Sequence, residues 1–65
     1  MIYKVGMKIK CIRGIQNCIT VGKIYEITEV TKRVLWVTTD YGNGNIGIPF
    51  FNDYFKVIRN RGVLL

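Results

Sequence analysis

Histidine and serine are absent from this 65-residue chain, cysteine occurs only twice, and there are four acidic residues. Each shortage removes a class of chemistry. Without histidine or serine the common sets of nucleophile, base and orienter cannot be assembled, and Glu26, Glu29, Asp40 and Asp53 offer little for a paired-carboxylate mechanism. No catalytic residue is assigned, and the chain is expected not to be an enzyme. Cys11 and Cys18 form no CxxC pair and have no histidine to complete a zinc tetrahedron, so neither metal nor cofactor is expected. Two free thiols acting as core filler is the expected state, with a Cys11–Cys18 disulfide as the geometrically open alternative.

Long apolar runs are missing too. No segment approaches the roughly 20 residues that span a bilayer, so no membrane partner is expected. In "MIYKVGMKIK" charges recur every few residues, where a signal peptide needs an unbroken apolar stretch. A cytoplasmic location is the expectation. Proline occurs once, yet 49% of the residues are hydrophobic, which excludes a disordered chain. The abundance of Ile, Val, Thr and Tyr suits a pleated, half-buried surface and predicts an all-β fold. A chain of this length has room for one domain, spanning residues 1–65 with its core at about 5–59. Nearly every large apolar side chain must serve that core.

The pattern along the chain predicts five strands. Met7 to Cys11 alternates apolar and basic residues, which turns Met7, Ile9 and Cys11 inward and Lys8 and Lys10 outward. "GIQNCITVG", Gly14 to Gly22, reads as a long loop folded back over the core. Lys23 to Val30 is the second strand, and Val30 regains the inward phase only if a bulge falls near Thr28-Glu29. Thr31-Lys32-Arg33 connects it to a central strand, Val34 to Thr39. The run Asp40 to Gly44, "DYGNG", has hairpin-turn chemistry, and Asn45 to Ile48 follows as a fourth strand ended by Pro49. Phe50 to Tyr54 is expected as one turn of 3₁₀ helix. Phe55 to Arg59 is then the fifth strand, with "NRGVLL" as a tail. Five short strands, a long loop between the first two and a 3₁₀ turn before the last are the plan of an SH3-like barrel, with an OB-like barrel as runner-up.

The stretch "YKVGMKIKCIRG...TVGKIYEITEV", Tyr3 to Val30, resembles the entry of KOW and other SH3-like barrels, in which V-G-x-x-[VI] leads into one strand and a second glycine starts the next. Val5-Gly6, Ile9, Gly14 and Val21-Gly22-Lys23 carry the likeness. Extended through "YGNGNIGIPFFNDYFKVI", the pattern is similar to small SH3-like proteins of bacteriophages and prophages. It covers most of the chain. The resemblance implies an SH3-like fold and a binding role, in the host cytoplasm if the chain is phage-encoded. An Ala-Leu-Tyr-Asp-Tyr-type motif and an acidic loop cluster are both lacking, so the proline-rich ligand site of signalling SH3 domains is not implied.

Ten Lys and Arg give a net charge of +6, which calls for an acidic partner. Two classes fit. Lys8, Lys10, Arg13, Lys32 and Arg33 could neutralise phosphates, with Trp36, Tyr41 and Tyr54 as platforms for bases. The same aromatics with arginine could instead form the hot spot of a protein interface. An adaptor or inhibitor that engages a host protein is the expected function, with a basic nucleic-acid-binding barrel as the alternative. Homodimerisation through an edge strand or Val63-Leu64-Leu65 is a further alternative. The arrangement discriminates between them. Cations tracking along a groove favour nucleic acid, whereas an aromatic patch ringed by charges favours protein. Trp36 is expected outside if Leu35 and Val37 point inward, and buried in the opposite phase.

Overall fold

The computed structural model describes residues 3–58. Its elements run β1 (Lys8–Cys11), β2 (Ile24–Val30), β3 (Val34–Thr39), β4 (Gly42–Gly47), α1 (Ile48–Tyr54) and β5 (Phe55–Val57). All strand pairs are antiparallel, in one sheet of order β4-β3-β2-β1-β5. Among the described residues the sheet does not close, so the expected barrel is not seen as such, and β4 and β5 are its edges.

Alternation decides which face is buried. In β1, Ile9 and Cys11 are buried between exposed lysines, as the period-2 pattern requires. Tyr25 and Ile27 do the same in β2, and Leu35 and Val37 in β3. Met7 packs against this core from just outside β1. Phe51, Phe55 and Ile19 complete the buried set, and Ile19 comes from the long loop, which does fold over the core. The aromatics form a chain across it. Phe51 stacks on Phe55 with centroids 5.4 Å apart, while Tyr3 meets Phe51 edge-on at 5.0 Å and Tyr25 meets Phe55 at 6.1 Å. Tyr3 therefore packs against the core from ahead of β1.

The bulge lies where the pattern demanded one. Ile27 pairs with Val37 and Glu29 with Trp36, so the register shifts across Thr28. Val30 then stands opposite Leu35 but stays 38% exposed at the end of the sheet. Thr28 has a cost of its own, because its hydroxyl is buried without a hydrogen-bond partner among the described residues. Thr28→Val keeps the β-branched shape and removes that oxygen. It is expected to be neutral or stabilising by up to about 1 kcal/mol, read from the urea midpoint.

Three local expectations are corrected. The turn is only Asp40-Tyr41, and Gly42 to Gly44 belong to β4. The tight loop requires Gly42, whose φ of +127° is costly for any side chain. The anticipated 3₁₀ turn is instead an α-helix that also takes Ile48 from the fourth strand. Pro49 explains the change. It stands in the first helical turn, where a missing N–H costs nothing and the fixed φ favours the helix, so it starts α1 as well as ending β4. The last strand is shorter than expected, ending at Val57, with the Ile58 N–H still donated to the Lys8 carbonyl. Arg59 and the tail with Val63-Leu64-Leu65 lie outside the described residues.

Candidate functional site

The eight residues singled out in the sequence do not converge on one surface. Lys8 is exposed but ion-paired, its Nζ 2.6 Å from Glu26 Oε1 across the β1–β2 pair. Lys10 lies opposite Lys56 of β5, two like charges side by side on the outer face. Lys32 and Arg33 sit in the connection between β2 and β3. Arg13 is at the start of the long loop, its guanidinium 5.6 Å above the Tyr54 ring. Trp36 is half-buried and lies on the face opposite Leu35 and Val37, as alternation predicted.

Besides Arg13 over Tyr54, one more pair of the eight shares a surface. Tyr41 and Tyr54 line a groove of about 460 Å³ that opens between β4, α1, β5 and the loop around Ile15 to Ile19. Phe50, Ile15 and Ile46 add apolar walls, and Phe55 and Val37 line it from the core. Among the described residues no lysine, arginine or acid lines it. Tyr41 and Phe50 are 61% and 60% exposed, so two large rings face solvent beside a cavity within the usual size range for ligand sites.

Glycines in β4 seat these rings. A Cβ on Gly44 would come within 2.7 Å of Tyr41 Oη, and one on Gly47 within 3.2 Å of Phe50 Cδ2. Gly44, read from sequence as a turn former, and Gly47, read as a strand residue, therefore let two aromatic rings lie against the strand backbone, the other common use of glycine within a strand. Phe50 was not singled out, because "FF" does not reveal which ring a short helix will bury. Phe51 takes the core and Phe50 is left outside.

One carboxylate anchors the wall opposite. Asp40, in the β3–β4 turn, accepts hydrogen bonds from Lys23 Nζ at 2.7 Å, Thr20 Oγ1 at 2.8 Å and Tyr25 Oη at 2.8 Å. Its own N–H is donated to the Cys18 carbonyl. Tyr25 Oη also accepts the Thr20 N–H, so the hairpin turn, β2 and the end of the long loop are tied at one point. These donors, Lys23 foremost, hold the Asp40 carboxyl well below the ordinary value of 3.8, at about 2. The same contact raises Lys23.

Both cysteines are free. Burial pushes the Cys11 thiol up, and its Sγ is donated to the Arg13 carbonyl, the behaviour of core filler. Among the described residues no group of three or more His, Cys, Asp or Glu is placed to hold a metal ion, and no helix is long and apolar enough to cross a membrane. A second depression beside Lys10, Lys56, Val57 and Ile58 is more open and carries the two facing lysines. Comparison with protein-family models, curated proteins and solved structures finds no match to this chain.

Proposed function

We propose that the chain is a non-catalytic binding module that engages a protein partner through the groove between β4, α1 and the long loop. The observation that carries this reading is the separation of aromatics from charge. Among the described residues Tyr41, Phe50 and Tyr54 line a groove without charged side chains, Arg13 lies over the Tyr54 ring, and Lys8, Lys10 and Lys56 lie on the outer face of the sheet. Aromatic side chains beside a desolvated pocket, rimmed by charge, are the anatomy of protein interfaces. A phosphate backbone would need cations along the groove.

The SH3-like reading is supported by the strand order β4-β3-β2-β1-β5, the long β1–β2 loop and the short helix leading into β5. The likeness to small phage and prophage proteins makes a host protein the natural partner, with the chain acting as adaptor or inhibitor in the host cytoplasm. Nucleic acid is a second reading. It rests on Lys10 and Lys56, whose mutual repulsion a bound anion would relieve.

Affinity capture from a bacterial lysate, with and without nuclease, separates the two. A discrete protein is expected to survive nuclease treatment and to be lost with Phe50→Ala combined with Tyr41→Ala, a variant that alters only exposed rings and should fold normally. Truncating a hot-spot ring typically costs about 2 kcal/mol or more in binding. Captured material that disappears with nuclease, or that the double variant retains, would contradict the proposal.

A further inference from the structure

The registers fix which backbone groups of β4 are already bonded. Thr39 and Gly42 face each other across a two-residue loop, so they exchange the closing hydrogen bonds, because Asp40 and Tyr41 are adjacent and cannot bond to each other as the other parity would need. Alternation then makes Val37 with Gly44 and Leu35 with Ile46 the bonded pairs. The N–H and C=O groups of Asn43 and Asn45 point away from β3 toward the open side of the sheet. Among the described residues no other hydrogen bond occupies these four groups.

The two sheet edges differ. β5 has three residues and carries Lys56, and the outward Phe55 N–H is already bonded to the Phe51 carbonyl. Short length and charge are the usual protections of an edge. β4 has six residues, "GNGNIG", with no charge, no proline and no register shift against β3. Its unprotected edge borders the groove, because Gly44, Asn45, Ile46 and Gly47 are lining residues. A strand laid along it would direct alternate side chains into the groove, over Ile46, Phe50 and Tyr54.

We propose that the occupant is an extended segment of the partner, apolar at alternate positions, which pairs with the N–H and C=O groups of Asn43 and Asn45 as an added strand and fills the groove with its inward side chains. The inference rests on the groove-binding reading and names the partner's chemistry. Backbone pairing supplies affinity and the groove selects the side chains. The groove is uncharged and the chain carries a net charge of +6, so neutral or acidic segments are favoured over basic ones. A second copy of the chain fits less well. Its own β4 brings Ile46 as the sole apolar side chain of the strand, with nothing else to fill the groove.

The test selects short linear peptides from a random display library against the full chain and uses the tightest binder as probe. Two N-methylated versions are made, blocking alternate backbone amides in one phase or the other. One phase is expected to weaken binding by about tenfold or more, as loss of edge hydrogen bonds does, and the other to have little effect. In parallel, amide exchange at Asn43 and Asn45 should slow when the peptide binds. Neither measurement alters the protein. Binding that Phe50→Ala weakens but that both N-methylated peptides retain, with exchange at Asn43 and Asn45 unchanged, would overturn the added strand while leaving the groove reading intact. A library that yields no binder, or a binder insensitive to Phe50→Ala, would count against both. Protection of Asn43 and Asn45 in the free protein that vanishes on dilution would make the occupant a second copy and overturn the proposal.

Discussion

Phe51→Ala is expected to leave the chain largely unfolded at room temperature. Phe51 is fully buried, and its ring stacks on Phe55 and receives the edge of Tyr3, so truncation opens a cavity at the centre of the aromatic chain. Phenylalanine-to-alanine changes in packed cores cost about 3–5 kcal/mol, from lost transfer energy and the unfilled cavity together. A domain this small has about 3–5 kcal/mol to lose in total. The same ring fixes α1 against the sheet, since it is the helix's buried residue. Circular dichroism and amide dispersion should therefore both collapse. Phe51→Leu, which keeps most of the volume, should remain folded with a lowered urea midpoint. A folded, cooperative Phe51→Ala protein would show that the core is organised elsewhere.

Asp40→Ala is expected to release the wall of the groove without unfolding the sheet. Three side-chain donors lose their acceptor at once, and the Tyr25 hydroxyl must find water at a partly buried position. Exchange of the Ile15 and Ile19 amides, which bond within the loop, should accelerate by at least about tenfold, while Ile27 keeps its protection. Acid should reproduce this effect in the parent protein. The folded carboxyl titrates near 2, below its ordinary 3.8. Its contribution is therefore present above the unfolded value and is lost as pH falls through the folded one. Loop protection is expected to decline between about pH 4 and 2 in the parent and to show no such step in Asp40→Ala. A parent loop that keeps its protection to pH 2 would remove Asp40 as the anchor.

The strands were largely legible because each has one buried face. Met7 to Cys11 alternates cleanly, Val34 to Thr39 is marked by its β-branched and aromatic content although its apolar run leaves the phase open, and the phase break in Lys23 to Val30 required the bulge found at Thr28. Proline and glycine were harder to read, since each has two uses. Pro49 ends a strand but also begins a helix, and the structure uses both. Gly44 resembles a turn residue but serves as a flat seat for Tyr41, as Gly47 does for Phe50. The site itself was half legible. Tyr41 and Tyr54 were marked and both line the groove, whereas Lys8, Lys10, Lys32 and Arg33 are dispersed by strand register and turn position, which charge counts do not encode. The phase of Trp36 was open in the sequence; the structure sets it opposite Leu35 and the groove-lining Val37, half-buried on the other face.

Partners are expected to bind at the aromatic groove and not at the basic faces. Amide chemical-shift mapping of the labelled chain with its captured partner tests this most directly. Shifts are expected to cluster at Ile15, Tyr41, Ile46, Phe50 and Tyr54. Shifts concentrated instead at Lys10, Lys56 and Ile58, with the groove unmoved, would contradict it.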